Sequence, residues 1–206
     1  MVFSVSPKTN KEVEVMLVKA MKELNDFFKI GWVRNVPKIF LLKDRKTMDL
    51  LFGEKTKNWV VGFCYGKNIC LLNPKNYEAE SDHKYIKKDF AKLLKHELCH
   101  LFISAVSGKN NLKPRWLIEG ACVYLSGQYR RYKVASKLKN FLKFYDKSGS
   151  QIYRESGFAV KFLIEKYGKK KFLRMLKDLK DHQTKLQFDN LFKTVYGIDQ
   201  NYQMFK

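Results

Sequence analysis

Residues 90–102 read FAKLLKHELCHLF, with His96, Glu97, Leu98, Cys99 and His100 at the centre. Ala91, Leu93, Leu94, Leu98, Leu101 and Phe102 make the stretch strongly apolar, and neither proline nor glycine interrupts it. The pattern predicts a helix from about Lys84 to Ser107. Residues four apart on a helix differ by about 40° around the axis and one turn along it, so the two imidazoles aim at one point. A divalent metal can sit there. Glu97 follows the first histidine and projects beside that point, close enough to take a proton from a water without being a ligand. Burying a carboxylate and two imidazoles on such a face is costly unless a metal or hydrogen bonds satisfy them. The chain has only four histidines, and two of them fall here.

A metal that does chemistry commonly has three protein ligands and an open position. Downstream of His100 the next candidate lies in PRWLIEGACVYL, residues 114–125. Pro114 suits the first turn of a helix, and Trp116, Leu117, Ile118, Ala121, Cys122 and Leu125 make that helix apolar. Glu119 is the misfit, one acid in an apolar run, with eighteen residues between it and His100. Gly120 beside it would let another helix approach closely. Cys99, inside the motif, is expected to point away from the metal as a small core residue.

His-Glu-x-x-His, eighteen residues, then Glu within Trp-Leu-Ile-Glu-Gly resembles the gluzincin class of zinc metallopeptidases. The spacing is similar to that of the aminopeptidase N and leukotriene A4 hydrolase type and of compact peptidase-MA-like domains. It covers roughly residues 59–168. The resemblance implies Zn2+ held by His96, His100 and Glu119, with Glu97 as general base. It also implies a zincin-like α+β fold: a small mixed sheet with a hairpin packed on the metal helix, followed by a mostly helical C-terminal lobe. An edge strand of that sheet would receive substrate as an added strand. The segment from Tyr153 resembles the one in which a tyrosine precedes a small-residue, apolar helix, which gives Tyr153 the role of hydrogen-bond donor to the oxyanion. The implied activity is zinc-dependent hydrolysis of peptide bonds in a peptide or protein substrate.

Two departures from the family pattern bear on that expectation. No Gly-x-Met-Glu-Asn segment occurs to hold a substrate amino terminus, so an endopeptidase is expected rather than an aminopeptidase. Val123 stands where some gluzincins carry an acid four residues after the third ligand, which leaves the partner of the histidine rings unnamed. One alternative is a SprT-like, nucleic-acid-associated protease, whose third ligand is usually histidine. Another is a non-catalytic basic binding protein with a vestigial zinc site, against which the intact Glu97 argues.

At 206 residues, with 45% apolar and 15% aromatic side chains, the chain can bury a real core. The expected organisation is a single metallopeptidase domain: residues 1–107 form a sheet-containing upper lobe ending in the metal helix, and 108–206 a helical lower lobe. Helices are expected over residues 10–29, 47–52, 153–168, 170–179 and 185–195, with a basic amphipathic helix over 130–147. Strands are expected over 37–43, 59–65 and 68–73, the last two joined at Gly66-Lys67. Four cysteines without a C-x-x-C pair read as reduced thiols. No apolar run reaches membrane-spanning length, and MVFSVSPKTNKEVEV has no signal-length apolar segment, so a cytoplasmic protein is expected. The net charge of +21 would attract nucleic acid or acidic proteins, although lysines spread along the chain are more often a solvated face.

Overall fold

Local chemistry decides where the first elements begin and end. Asn10 accepts a hydrogen bond from the Val13 N–H and starts α1 (Lys11–Phe28), and Asp44, accepting from the Thr47 N–H, starts α2 (Arg45–Phe52) after strand β1 (Ile39–Leu42). Gly53, at φ +93°, ends α2. Strands β2 (Gly62–Tyr65) and β3 (Asn68–Leu72) follow, then α3 (Lys87–Ser107), α4 (Arg115–Ser126), α5 (Ile152–Tyr167), α6 (Lys169–Asp178) and α7 (Lys185–Tyr196). The computed structural model describes residues 9–110, 112–133, 138–147, 149 and 151–205. Among them the chain is mixed α+β and mostly helical, with seven α-helices and one three-stranded sheet. No helix among the described residues is long and apolar enough to cross a membrane.

Strand order in the sheet is β1-β3-β2. β3 is central because it is apolar on both faces: Ile69, Cys70, Leu71 and Leu72 are all buried. It pairs parallel with β1, Ile39 opposite Ile69, and antiparallel with β2, Gly62 opposite Leu71. Gly66, at φ +58°, opens the two-residue turn between β2 and β3, a conformation that costs glycine nothing.

α3 is the spine. α1 lays Met16, Ala20, Leu24 and Phe28 toward it, with Phe28 stacked on Phe102 at 5.6 Å. β2, α4 and α6 also pack on α3. α4 and α5 cross closely at two glycines. A Cβ on Gly120 would stand 2.5 Å from the Ser156 carbonyl oxygen, and one on Gly157 would stand 2.6 Å from Val123 Cγ1. The helix that Gly120 admits is therefore α5. In the carboxy-terminal half Trp116, fully buried, gathers Phe141, Phe188 and Phe205 around it at 4.8 to 6.3 Å.

Three expectations need correction. Residues 130–147 do not form a helix among the described residues: Gln128–Arg131 and Phe141–Lys143 are short 3-10 turns, and 134–137 lie outside the described residues. The cause is Glu155, a buried carboxylate on α5 that accepts from the N–H groups of Lys139, Asn140 and Phe141 and from Asn140 Nδ2. The carbonyls of Phe144 and Tyr145 then accept from the Trp116 and Arg115 N–H groups, so this turn caps α4. Strand β2 starts at Gly62 rather than Trp59, because the Arg45 guanidinium takes the carbonyls of Lys57, Asn58 and Val60. α3 begins at Lys87, after Ile86, rather than at Lys84.

Candidate metal centre

His96 and His100 lie on one face of α3, and their Nε2 atoms are 3.2 Å apart. α4 crosses so that Glu119 Oε2 stands 3.4 Å from His96 Nε2 and 3.6 Å from His100 Nε2. A tetrahedral ion held at about 2.0–2.1 Å by such donors sets them roughly 3.3–3.4 Å apart. The three donor atoms thus stand at spacings close to those of one ion's ligands. Glu119 Oε2 is buried and has no hydrogen-bond partner among the described residues, as a carboxylate oxygen reserved for an ion would be. His96 and Glu119 are buried, while the His100 side chain is 23% exposed and marks the side from which the site is reached.

Electrostatics follow from burial and proximity. Burial would raise the Glu119 carboxyl, but His100 and His96 outweigh it and hold the group down at about 2, ionised throughout the physiological range. Burial pushes His100 below its ordinary value, with Glu119 opposing. Glu97 behaves oppositely to Glu119. Burial pushes it up to about 7, with His100 opposing and Glu119 reinforcing. Two buried carboxyls with widely separated affinities for protons suit two roles, one a permanent anion and one a proton acceptor.

The sheet covers Glu97. Gly62 on β2 lies so close that a Cβ there would meet Glu97 Cγ at 3.4 Å. Two residues on, the Cys64 thiol lies 3.2 Å from the Glu97 carbonyl oxygen and 3.8 Å from Oε2, and donates to them. Burial, and then Glu97 itself, raise the Cys64 pKa far above its ordinary value, so the sulfur keeps its proton. It is the only donor to the Glu97 carboxylate among the described residues.

Tyr153, near the start of α5, places its ring 6.0 Å from the His96 ring in an edge-on arrangement. Burial first, and then Glu119 and Glu97, raise its phenol well above the ordinary value, which keeps the O–H intact as a donor. All five residues singled out in the sequence, His96, Glu97, His100, Glu119 and Tyr153, are thus gathered at one place.

Two further groups escaped the sequence reading. Cys64 comes from a strand 33 residues before Glu97, and no local pattern links the two. Cys122 is different. Its Sγ forms a cluster with the donors of His96 and His100 in which all atoms lie within 4.8 Å. It stands three residues after Glu119, hence on the same helix face, a spacing that could have flagged it. Among the described residues His96 has no orienting acceptor, its buried Nδ1 being without a partner. Comparison with protein-family models, with curated proteins and with solved structures finds no match.

Proposed function

We propose that this chain is a zinc-dependent hydrolase of peptide bonds, zincin-like and of gluzincin type, acting as an endopeptidase on peptide or protein substrates. The observation that carries the reading is the His96, His100 and Glu119 donor set at 3.2–3.6 Å spacing with the buried Glu97 carboxyl beside it. Bound there, Zn2+ would supply Lewis acidity, polarising the scissile carbonyl and making the attacking water a better acid.

The chain's own groups do the rest. Glu97, with a proton affinity near neutrality and Cys64 donating to it, is suited to take the proton of the attacking water and deliver it to the leaving nitrogen. A C–O bond forms at the carbonyl carbon first, and the C–N bond breaks once the leaving nitrogen has taken the proton. Tyr153 is suited to donate its O–H to the carbonyl oxygen as negative charge develops there. Substrate backbone is accommodated by β2. The Leu72 N–H to Val61 carbonyl bond makes that pair hydrogen-bonded, so by alternation Gly62 and Cys64 direct their main-chain groups to the open edge, beside Glu97. A peptide added there as a strand would lie over the site.

A second reading rests on Cys122. Were its thiolate to join the three donors, the centre would be closed and four-coordinate, the form of a structural site in a basic binding protein. One experiment separates the two. Purified protein is assayed for metal and for cleavage of a reduced, carboxymethylated protein, with and without chelator. The hydrolase reading expects zinc and chelator-sensitive cleavage; zinc without cleavage, together with a thiolate-to-metal charge-transfer band after cobalt substitution, would favour the structural reading.

A further inference from the structure

We infer that Trp59 is a substrate-contacting residue, a fixed aromatic platform that takes an aromatic or long apolar side chain of the peptide next to the bond being cut. The inference rests on the reading of the site as a peptide hydrolase, and deepens it by naming a substrate class. An exposed tryptophan alone would signify little, since isolated apolar side chains are common on protein surfaces. Position and rigidity together distinguish this one.

Trp59 stands 38% exposed, with its ring centroid 6.4 Å from that of Tyr153 at an interplanar angle of 70°. Tyr153 in turn packs on His96. The three rings form a continuous aromatic wall from the candidate metal centre outward. Trp59 also lies just ahead of β2, whose edge is open from Gly62 onward, so a peptide strand laid on that edge would carry a side chain past the indole.

The backbone under Trp59 is held from below by side chains of α2 and of the segment around residue 83. Arg45 donates to the carbonyls of Lys57, Asn58 and Val60, and also to that of Glu80. His83 Nε2 lies 3.0 Å from the Trp59 carbonyl oxygen, and as that oxygen can only accept, the ring nitrogen donates. The N–H of Val60 bonds the Lys57 carbonyl, and the Thr56 N–H and hydroxyl bond Asp49. Every carbonyl from Lys57 to Val60 therefore has a partner in a segment that belongs to no helix or strand. A loop fixed in this way loses little conformational entropy on binding, which is what an anchoring aromatic needs. Apolar area meeting a rigid, half-exposed indole is also the composition of an energetically dominant contact.

The test uses the Glu97→Gln protein, in which peptides can bind without turnover, and the same protein carrying Trp59→Ala. Capped heptapeptides of alanine with Phe, Leu, Ala or Asp at the central position are titrated by calorimetry, and the same peptides are offered to the protein with Glu97 intact. We expect the Phe and Leu peptides to bind more tightly than the Ala and Asp peptides. Trp59→Ala should weaken the first two by about fivefold to thirtyfold while leaving the others nearly unchanged, with zinc content and thermal transition preserved. Trp59→Phe should keep most of the preference. Equal loss across all four peptides, or no loss, overturns the inference, as does a preference that survives in Trp59→Ala. If Trp59→Ala lowers stability or zinc content, Trp59→Leu decides the matter, because it keeps the apolar bulk and removes the ring. Trp59-dependent binding without any cleavage would leave the platform standing and remove the hydrolase reading, whereas cleavage without a Trp59-dependent preference would do the reverse. Binding of no peptide overturns both.

Discussion

Glu119 Oε2 stands 3.4 Å from His96 Nε2, both side chains are buried, and that oxygen has no hydrogen-bond partner among the described residues. The contact joins α4 to α3 beside Glu97, on the side where the Tyr153 ring packs on His96.

Glu97→Gln keeps shape and hydrogen-bonding capacity but removes the proton acceptor. Zinc content should stay as in the unmodified protein, while peptide hydrolysis falls by about 10²- to 10⁴-fold, the range expected of general-base catalysis. Metal analysis with steady-state kinetics checks this, and unchanged turnover would mean that another group activates the water.

The same substitution makes a prediction about stability in chelator-treated protein. Glu97 binds its proton more tightly folded, at about 7, than the ordinary 4.5 of the unfolded chain. Below 4.5 both states are protonated and above 7 both are ionised. Between those limits the folded state holds the extra proton, so the stability contributed by Glu97 is full below 4.5 and is lost as pH rises through 7. Denaturant unfolding at pH 4.5 and pH 8 should therefore show Glu97→Gln gaining on the unmodified protein by about 3 kcal/mol at the higher pH. A difference between the two proteins that does not change with pH would contradict the raised affinity.

Tyr153→Phe removes one donor and keeps the ring that packs on His96 and Trp59. A donor used only when the oxyanion forms affects the transition state more than the bound substrate. The expected result is a fall in kcat of about 10²- to 10³-fold with little change in KM, zinc content or folding. Wild-type kcat in this variant would make Tyr153 a packing residue.

Gly120→Ala would push a methyl group to 2.5 Å from the Ser156 carbonyl oxygen and 2.9 Å from its carbon, both backbone atoms that cannot turn aside. α4 and α5 must separate, and with them Glu119 and Tyr153. We expect a loss of about 1–3 kcal/mol in stability, the usual cost of overpacking, and weaker zinc retention. Chemical denaturation and metal analysis of one preparation measure both, and unchanged values would mean that the crossing is looser than its geometry implies.

Much of this site was legible in the sequence because its parts repeat at helical spacing. His96, Glu97 and His100 lie within five residues, and Glu119 with Gly120 stands out against an apolar run, so both helices announce their polar burden locally. The α3, α4, α5, α6 and α7 segments and the β2–β3 hairpin were readable for the same reason. Long-range contacts were not. Cys64 reaches Glu97 from another element, and the Arg45 clamp on residues 57–60 shortens a strand that β propensity alone would extend. Residues 130–147 carry a helical pattern, yet the buried Glu155 offers their N–H groups a better acceptor than a helix turn would. Tertiary hydrogen bonding overrode the periodicity there.

We propose that His96, His100 and Glu119 together hold one zinc ion. The most direct test is the zinc content of purified Glu119→Ala beside that of the unmodified protein, with folding verified by circular dichroism. We expect about one zinc per chain in the unmodified protein and loss of most of it in Glu119→Ala, because two histidines alone make a poor site. Equal zinc retention in a folded Glu119→Ala protein would contradict it.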